Sequence, residues 1–338
     1  VARSEIKIDL GALRRNVRTL RRIVAPAELW AVVKANAYGH GAVDCGGAAL
    51  SEGATALCVA TVGEALQLRP EFPGARIIVM GPAAPHEVAS AREASLELVV
   101  GDDIPDGIPV HVKLDTGMGR WGIAELYKPE RAVVGLMTHL ATADTDLDFA
   151  RTQLERFREA TAVYSGLTRH AANSAAALRL PDARFDAVRC GIALYGLSPF
   201  GGDALADGLE PVLSWTSELA ATKVLRPGES TGYGRRFVAE RETWIGIVPV
   251  GYADGFRRDL TGTEVRVAGE RRRVVGTISM DAFAIELDHG FPPGTPVTIV
   301  GHGVPLEEHA RVAGTITYEL ATRIESGPTR ARRVVIDD

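Results

Sequence analysis

Leu29-Trp30-Ala31-Val32-Val33-Lys34-Ala35-Asn36-Ala37-Tyr38-Gly39-His40-Gly41 places a continuous apolar run, a single lysine and a Gly-bounded turn in direct succession. The run 29–33 is the first of eight. The others cover residues 56–60, 76–80, 96–100, 110–114, 133–140, 167–172 and 187–192. Near-continuous runs of this kind are what strands buried on both faces look like, and segments of helical pattern between them imply a parallel sheet. The clearest helical segment is 145–165, where Phe149, Leu154, Phe157 and Ala160 recur at helical spacing among Arg and Glu. Eight such units within so short a stretch predict an α/β protein built on a closed (β/α)8, TIM-like barrel. Residues 101–109 are too short and too Pro/Gly-rich for a crossover helix, so one barrel helix is expected to be missing there. A second, near 124–132, is expected to be short.

Beyond about residue 205 the pattern changes. Runs at 211–225, 243–251, 263–268, 272–276, 282–287, 295–300 and 332–336 are separated by turns such as Arg226-Pro227-Gly228, which predicts a mainly-β C-terminal domain. The opening residues 5–9 alternate as a strand ahead of Asp9, a candidate N-cap for a helix over 10–23. The expected organisation is residues 1–10 as a strand joining the C-terminal β domain, 11–205 as the barrel and 206–338 as the β domain.

The 338 residues are 46% hydrophobic and carry 43 acidic against 38 basic side chains, a balance of −5 that offers a nucleic acid no basic surface. Cys45, Cys58 and Cys190 are odd in number and sit among apolar or small residues, which argues against a disulfide framework and for a reducing compartment. No apolar run approaches the ~18 residues of a membrane span, and the segment VARSEIKIDL lacks the apolar core of a signal peptide, so a soluble, cytoplasmic protein is expected. None of the eight His is spaced with Cys or carboxylates as a metal site requires.

In such a barrel the chemistry belongs at the C-terminal ends of the strands. Lys34 ends the first run, where burial lowers an amine's pKa and frees it as nucleophile or base; its position alone is equally compatible with a lysine snorkelling to solvent. Ala172-Asn173-Ser174 opens a helix after the seventh run, and Arg189-Cys190-Gly191-Ile192 closes the eighth. These loops suit a phosphate, received by backbone N–H groups and a hydroxyl, with Ser174, Gly191 and Ile192 the fitting residues; Asn173-Ser174 can equally be a plain N-cap and Gly191 a plain turn. Arg189, within an apolar run, must have a buried partner. A phosphate and an amine-bearing lysine in one barrel mouth fit pyridoxal phosphate, with an Arg able to face the pyridine nitrogen. A Schiff-base aldolase acting on a sugar phosphate fits them too.

The run Val33–Gly41, Lys113-Leu114-Asp115-Thr116-Gly117-Met118-Gly119-Arg120, Thr138-His139-Leu140-Ala141, Val188-Arg189-Cys190-Gly191-Ile192, Gly232-Tyr233-Gly234, Ile278-Ser279-Met280-Asp281 and Thr317-Tyr318-Glu319, in that order, resemble the motifs of the alanine racemases. That family consists of two-domain, homodimeric pyridoxal 5'-phosphate enzymes of fold-type III. The resemblance implies that Lys34 holds the cofactor and serves as one catalytic base. It implies that Tyr233, reaching in from the partner subunit, is the other. Tyr38, Ser174, Gly191, Ile192 and Tyr318 would surround the cofactor's phosphate, Asn173 would also belong to the cofactor-binding set, His139 would lie against the ring side and Arg189 would meet the pyridine nitrogen. Arg120 and the backbone of Met280 would take the substrate carboxylate, and Asp281 would help align the groups around Tyr233. In many members the lysine matching Lys113 is carbamylated; an ordinary lysine paired with a carboxylate is the alternative. The implied activity is interconversion of L- and D-alanine, supplying D-alanine for peptidoglycan, with serine as a possible minor substrate. The chain is shorter than most of the family, at the two reduced crossovers. A lone-barrel cofactor carrier would lack Tyr233, and the related decarboxylases place an acidic group where this chain has Arg189.

Overall fold

The computed structural model describes residues 3–126, 132–324 and 326–337. The chain divides into two compact units. One comprises Leu13–Phe200 and Leu205–Glu210, the other Val1–Ala12, Gly201–Ala204 and Pro211–Asp338.

In the first unit eight parallel strands, Glu28–Val32, Ala56–Val59, Ile77–Val79, Glu97–Val100, Val110–Lys113, Val133–Met137, Thr168–His170 and Ala187–Cys190, close into a barrel. Each expected run supplies one strand, and the last returns to pair with the first, Trp30 lying opposite Arg189. The ladders end before several of the runs do. The sixth strand stops at Met137 and the eighth at Cys190, which releases His139 and Gly191 into the loops at the mouth. The long crossover is the helix Leu147–Thr161. Asp146 caps it by accepting the amides of Asp148 and Phe149, each at 3.1 Å, and Ala150, Leu154 and Phe157 form its buried stripe. Residues 101–109 carry turns and bends and no helix, as their composition requires. The short helix expected near 124–132 is not seen in 124–126, and 127–131 lie outside the described residues.

The second unit is built on a nine-stranded sheet in the order Ala221–Leu225, Thr243–Val248, Phe283–Leu287, Glu270–Val275, Glu264–Val267, Pro296–Val300, Leu213–Glu218, Ser4–Asp9 and Arg332–Ile336. Ser4–Asp9 pairs antiparallel with Leu213–Glu218 and parallel with Arg332–Ile336, so the opening strand is a member of this sheet. Asp9 then caps the helix Leu10–Val24, its carboxylate accepting the Ala12 amide at 2.8 Å. Phe256 stacks on Phe283 at 4.4 Å and meets Trp215 edge-on at 6.2 Å, forming the aromatic centre of the unit's core. Two helices, Leu306–Val312 and Thr317–Arg323, add to the strands the sequence predicts; Leu306, Ala310, Leu320 and Ala321 are buried on them. Among the described residues no helix is long and apolar enough to cross a membrane.

Candidate active site

Lys34 follows the first barrel strand directly, and the backbone after it is unusual. Ala35, Asn36, Ala37 and Tyr38 all have φ between 51° and 54°, a left-handed turn made without glycine. Such a turn costs on the order of 1–2 kcal/mol per residue and must be held from outside. Glu64 holds one end: its carboxylate accepts the Ala35 amide at 2.7 Å and the Ala60 amide at 2.7 Å. Asn36 accepts the Ala42 amide at 2.9 Å, while His40 Nδ1 lies 3.0 Å from the carbonyls of Ala37 and Tyr38. The His40 ring stacks on Tyr195, whose hydroxyl donates to the Val32 carbonyl at 2.7 Å. The turn therefore fixes both the half-buried Lys34 amine and the buried Tyr38 ring relative to the first strand. Burial, then Arg120 and Arg189, push the Lys34 amine below the ordinary lysine range, with Glu64 opposing in part.

Tyr38 reaches the loop after the eighth strand. A β-carbon at Gly191 would stand 2.5 Å from the Tyr38 hydroxyl oxygen, so only glycine lets the two meet. Ser174, 2% exposed, accepts the amides of Gly191 at 3.0 Å and Ala193 at 3.4 Å. The side chain of Ile192 is wholly buried, which leaves only its main chain to serve a ligand. Asn173 is an N-cap: its oxygen accepts the Ala176 amide at 3.0 Å at the head of Ser174–Arg179. Tyr38, Ser174, Gly191 and Ile192 are thus gathered at one place, with Asn173 supporting the helix beside them.

Arg189, 3% exposed, has its partners in imidazoles and carbonyls. Nη1 donates to His170 Nδ1 at 2.8 Å and to the His170 carbonyl at 2.9 Å; Nη2 donates to the carbonyls of Thr138 and Ala171 at 2.9 and 3.1 Å and lies 3.2 Å from His139 Nδ1. Burial brings its pKa down to about 10, so the guanidinium stays charged at neutral pH. Behind it, His170 Nε2 is 2.9 Å from His111 Nδ1, and His111 Nε2 is 2.8 Å from Glu97. Sequence reasoning missed His170, His111 and Glu97. The signal was available: each is a polar residue inside an apolar strand run, the same reason Arg189 stood out.

The mouth is rich in cations. Lys113, 1% exposed at the end of the fifth strand, is lowered to about 8 by burial, then Arg120 and Arg189. Its ammonium lies 4.5 Å from the centre of the Trp121 ring, and the Arg120 guanidinium lies 4.1 Å from the same ring. Asp115 shapes the intervening loop by accepting the amides of Gly117, Met118 and Gly119 at 2.8–3.1 Å. His139 is held well below the usual imidazole range by burial and by Arg189, Arg120, Lys113 and Lys34 in that order. Four positive groups acting on one neutral ring make an environment for an anion. Burial pushes the thiols of Cys58 and Cys190 up to about 12, which removes them as nucleophiles near neutral pH. Among the described residues no His, Cys, Asp and Glu cluster could hold a metal ion.

Tyr233, Met280, Asp281 and Tyr318 belong to the second unit. Tyr233 is 73% exposed, and its carbonyl accepts the Thr277 hydroxyl at 2.7 Å. Gly232 before it has φ 76°, and a β-carbon there would come within 2.9 Å of the Thr277 amide. Arg235 turns away to Ser230 and the Gly228 carbonyl, at 3.1 and 3.0 Å. The Met280 carbonyl accepts the Ala253 amide at 3.1 Å. Asp281 is bound to Arg330 at 3.0 Å and Arg3 at 3.3 Å, and Arg330 also grips the buried Asp254 at 2.8 Å. Thr277 thus supports the backbone of Tyr233, while Asp281 ties Arg3 to Arg330. Tyr318 is half-buried on the helix Thr317–Arg323.

Comparison with known proteins brings both units under one heading. Residues 8–199 match the model of the alanine racemase N-terminal domain, and residues 212–334 that of the C-terminal domain. The chain is 41% identical to the alanine racemase of Streptomyces coelicolor, over 100% of this chain and 97% of that one, and 40% identical to alanine racemase 1 of Bacillus subtilis, over 95% and 90%. The crystal structure of alanine racemase from Streptomyces lavendulae superposes with a TM-score of 0.92 at 35% identity, covering 100% of this chain and 98% of that one. Sharing both domains and this identity along its whole length, the chain belongs to the alanine racemases, a family of pyridoxal-phosphate-dependent racemases.

Proposed function

We propose that this protein interconverts L- and D-alanine in the cytoplasm, as a homodimer, and thereby supplies D-alanine for peptidoglycan. The residues fit the family's cofactor. Gly191 lets the Tyr38 hydroxyl come up against the loop after the eighth strand, the Ser174 hydroxyl lies on the same loop, and the Lys34 amine stands among cations that favour an anionic ligand. Lys34 would hold the cofactor covalently, with Tyr38, Ser174, the main chain of Gly191 and Ile192, and Tyr318 at the phosphate, and His139 beside the ring. When bound, pyridoxal phosphate supplies a conjugated ring that accepts the electron pair left as the substrate loses its Cα proton.

The Lys34 amine would then carry that proton on one face, and burial, with Arg120 and Arg189, lowers it in the direction a base requires. Tyr233 of the partner subunit delivers or removes a proton on the opposite face; the exposure of its phenol in one chain suits a group that works in another copy's site. Arg120 and the main chain of Met280 receive the substrate carboxylate, and a carbamate on Lys113 would orient Arg120.

The observation that carries the reading is the setting of Arg189. Pinned by His170 and three carbonyls, and still protonated, it can donate a hydrogen bond to the pyridine nitrogen but does not readily give up a proton to it. Such a partner would limit the electron withdrawal the ring supplies, which would favour return of the proton to Cα over decarboxylation or elimination. The test is deuterium incorporation at Cα of L-alanine in D2O, together with D-alanine formation. Both should occur in the wild type and be lost in Lys34→Ala, while Tyr233→Phe keeps the yellow cofactor complex and loses racemisation. A protein that binds pyridoxal phosphate without exchanging the Cα proton would refute the reading.

A further inference from the structure

Arg189, His170, His111 and Glu97, from the eighth, seventh, fifth and fourth barrel strands, form one unbroken line of hydrogen bonds through the barrel interior. Its direction can be worked out from the two ends. A guanidinium only donates, so His170 Nδ1 must accept from Arg189, and the ring's proton sits on Nε2. That proton is donated to His111 Nδ1, which places the His111 proton on Nε2, facing Glu97. An ionised carboxylate only accepts, so the far end demands the same arrangement that the near end dictates.

The surroundings support neutral rings and a charged terminus. Burial is the largest influence on both imidazoles and depresses them; for His111 the bond to Glu97 opposes it without reversing it. Burial works against the Glu97 carboxylate, but His111 and Arg76 outweigh it and hold the group at about 2. Arg76 clamps both Glu97 oxygens, at 2.8 and 2.9 Å. The Trp30 ring packs 4.6 Å from His170 and 5.7 Å from His111. On the sixth strand Gly135 makes room for the line: a β-carbon there would fall 2.1 Å from His111 Nδ1. An extra proton on His170 would set two donors against each other at Arg189.

We propose that Glu97 is a positioning residue for Arg189: through His111 and His170, each held in the Nε2–H form, it fixes the rotation of the guanidinium. The benefit to catalysis rests on the reading that Arg189 faces the pyridine nitrogen; the hydrogen-bond line itself does not.

The test is 15N NMR of the holoenzyme labelled at histidine. Both rings should show a protonated Nε2 and a bare Nδ1, and either ring found as the Nδ1–H form overturns the proposal without any variant being made. Glu97→Leu should cost His170 its single fixed form, although Glu97 bonds to His111. Arg76→Gln, which keeps the carboxylate acceptor, should leave it intact. An unchanged His170 in Glu97→Leu, or equal changes in both variants, would also overturn the proposal. Insensitivity of the 15N-labelled cofactor ring to Arg189→Lys would instead defeat the facing of Arg189 to the cofactor and leave the line standing.

Discussion

Tyr38 and Gly191 meet hydroxyl to α-carbon: a β-carbon added at 191 would lie 2.5 Å from the Tyr38 oxygen and 2.9 Å from the ring carbon that bears it. Gly191→Ala therefore must displace a ring that the left-handed turn holds in place. A loss of about 1–3 kcal/mol in chemical unfolding is expected, with weaker retention of pyridoxal phosphate. Adding Tyr38→Phe removes the closest clashing atom and should recover part of the loss. Additive effects of the two substitutions would show that the residues do not interact as described.

If Lys34 and Tyr233 of different copies serve one site, two inactive variants must complement each other. Lys34→Ala and Tyr233→Phe, unfolded and refolded together, should regain up to roughly a quarter of wild-type activity, because half of the randomly assorted dimers carry one intact site of two. Each variant refolded alone should stay inactive. No recovery on mixing would place both residues in a site made by one chain.

Trp121 stacks on Arg120 and Lys113 at once. Removing the ring in Trp121→Ala frees Arg120 to swing in solvent, so KM for alanine should rise about 2- to 30-fold, the equivalent of ~0.5–2 kcal/mol of cation–π contact. Trp121→Phe should preserve most of the affinity, and kcat should change less than KM. A fall in kcat alone would mean the ring serves the chemical step instead.

Lys113, brought down to about 8, presents an appreciable free-amine fraction just above neutral pH, which carbamylation requires. Incubation with 13C-bicarbonate should give a carbamate carbon signal that grows from pH 7 towards about pH 8.5 and is missing in Lys113→Met. A spectrum identical in the two proteins would leave Lys113 an ordinary ammonium.

Stability should fall on acidification. His111, His139 and His170 in the barrel and His309 in the β unit are all held below 6.5, in each case with burial as the largest cause. The unfolded chain takes up protons at these rings before the folded one does. Their contribution is thus present above about pH 6.5 and is lost below it, with a slope of at most ~1.4 kcal/mol per pH unit for each ring. Glu97, at about 2 against an ordinary 4.5, adds to the same slope once the pH passes below 4.5. Chemical unfolding followed from neutral pH to about pH 5 should show the decline, and His170→Gln should make it shallower; a flat profile would contradict the assignment.

The barrel was legible because each of its strands is an apolar run bounded by turn residues, and the missing helix at 101–109 was legible from Pro and Gly. Arg189 stood out as a charge in an apolar setting. His170 and His111 carry the same mark, a polar residue in an apolar run, but they come from other strands, and their pairing with Arg189 exists only once the barrel closes. The helices Leu306–Val312 and Thr317–Arg323 were passed over because seven residues give too little periodicity to register. Nothing in Ala35-Asn36-Ala37-Tyr38 announces positive φ, because it is the bonds from Glu64, Asn36 and His40 that hold it there.

That last segment sets a limit on improving the protein. Glycine at the exposed position 35 would relieve a disfavoured backbone and so raise resistance to heat, and a screen for thermostability alone would retain it. The same replacement would loosen the hinge between the lysine and the tyrosine. Selection for robustness and selection for turnover therefore pull in opposite directions at this alanine, and a natural chain that keeps it has settled for the less comfortable backbone.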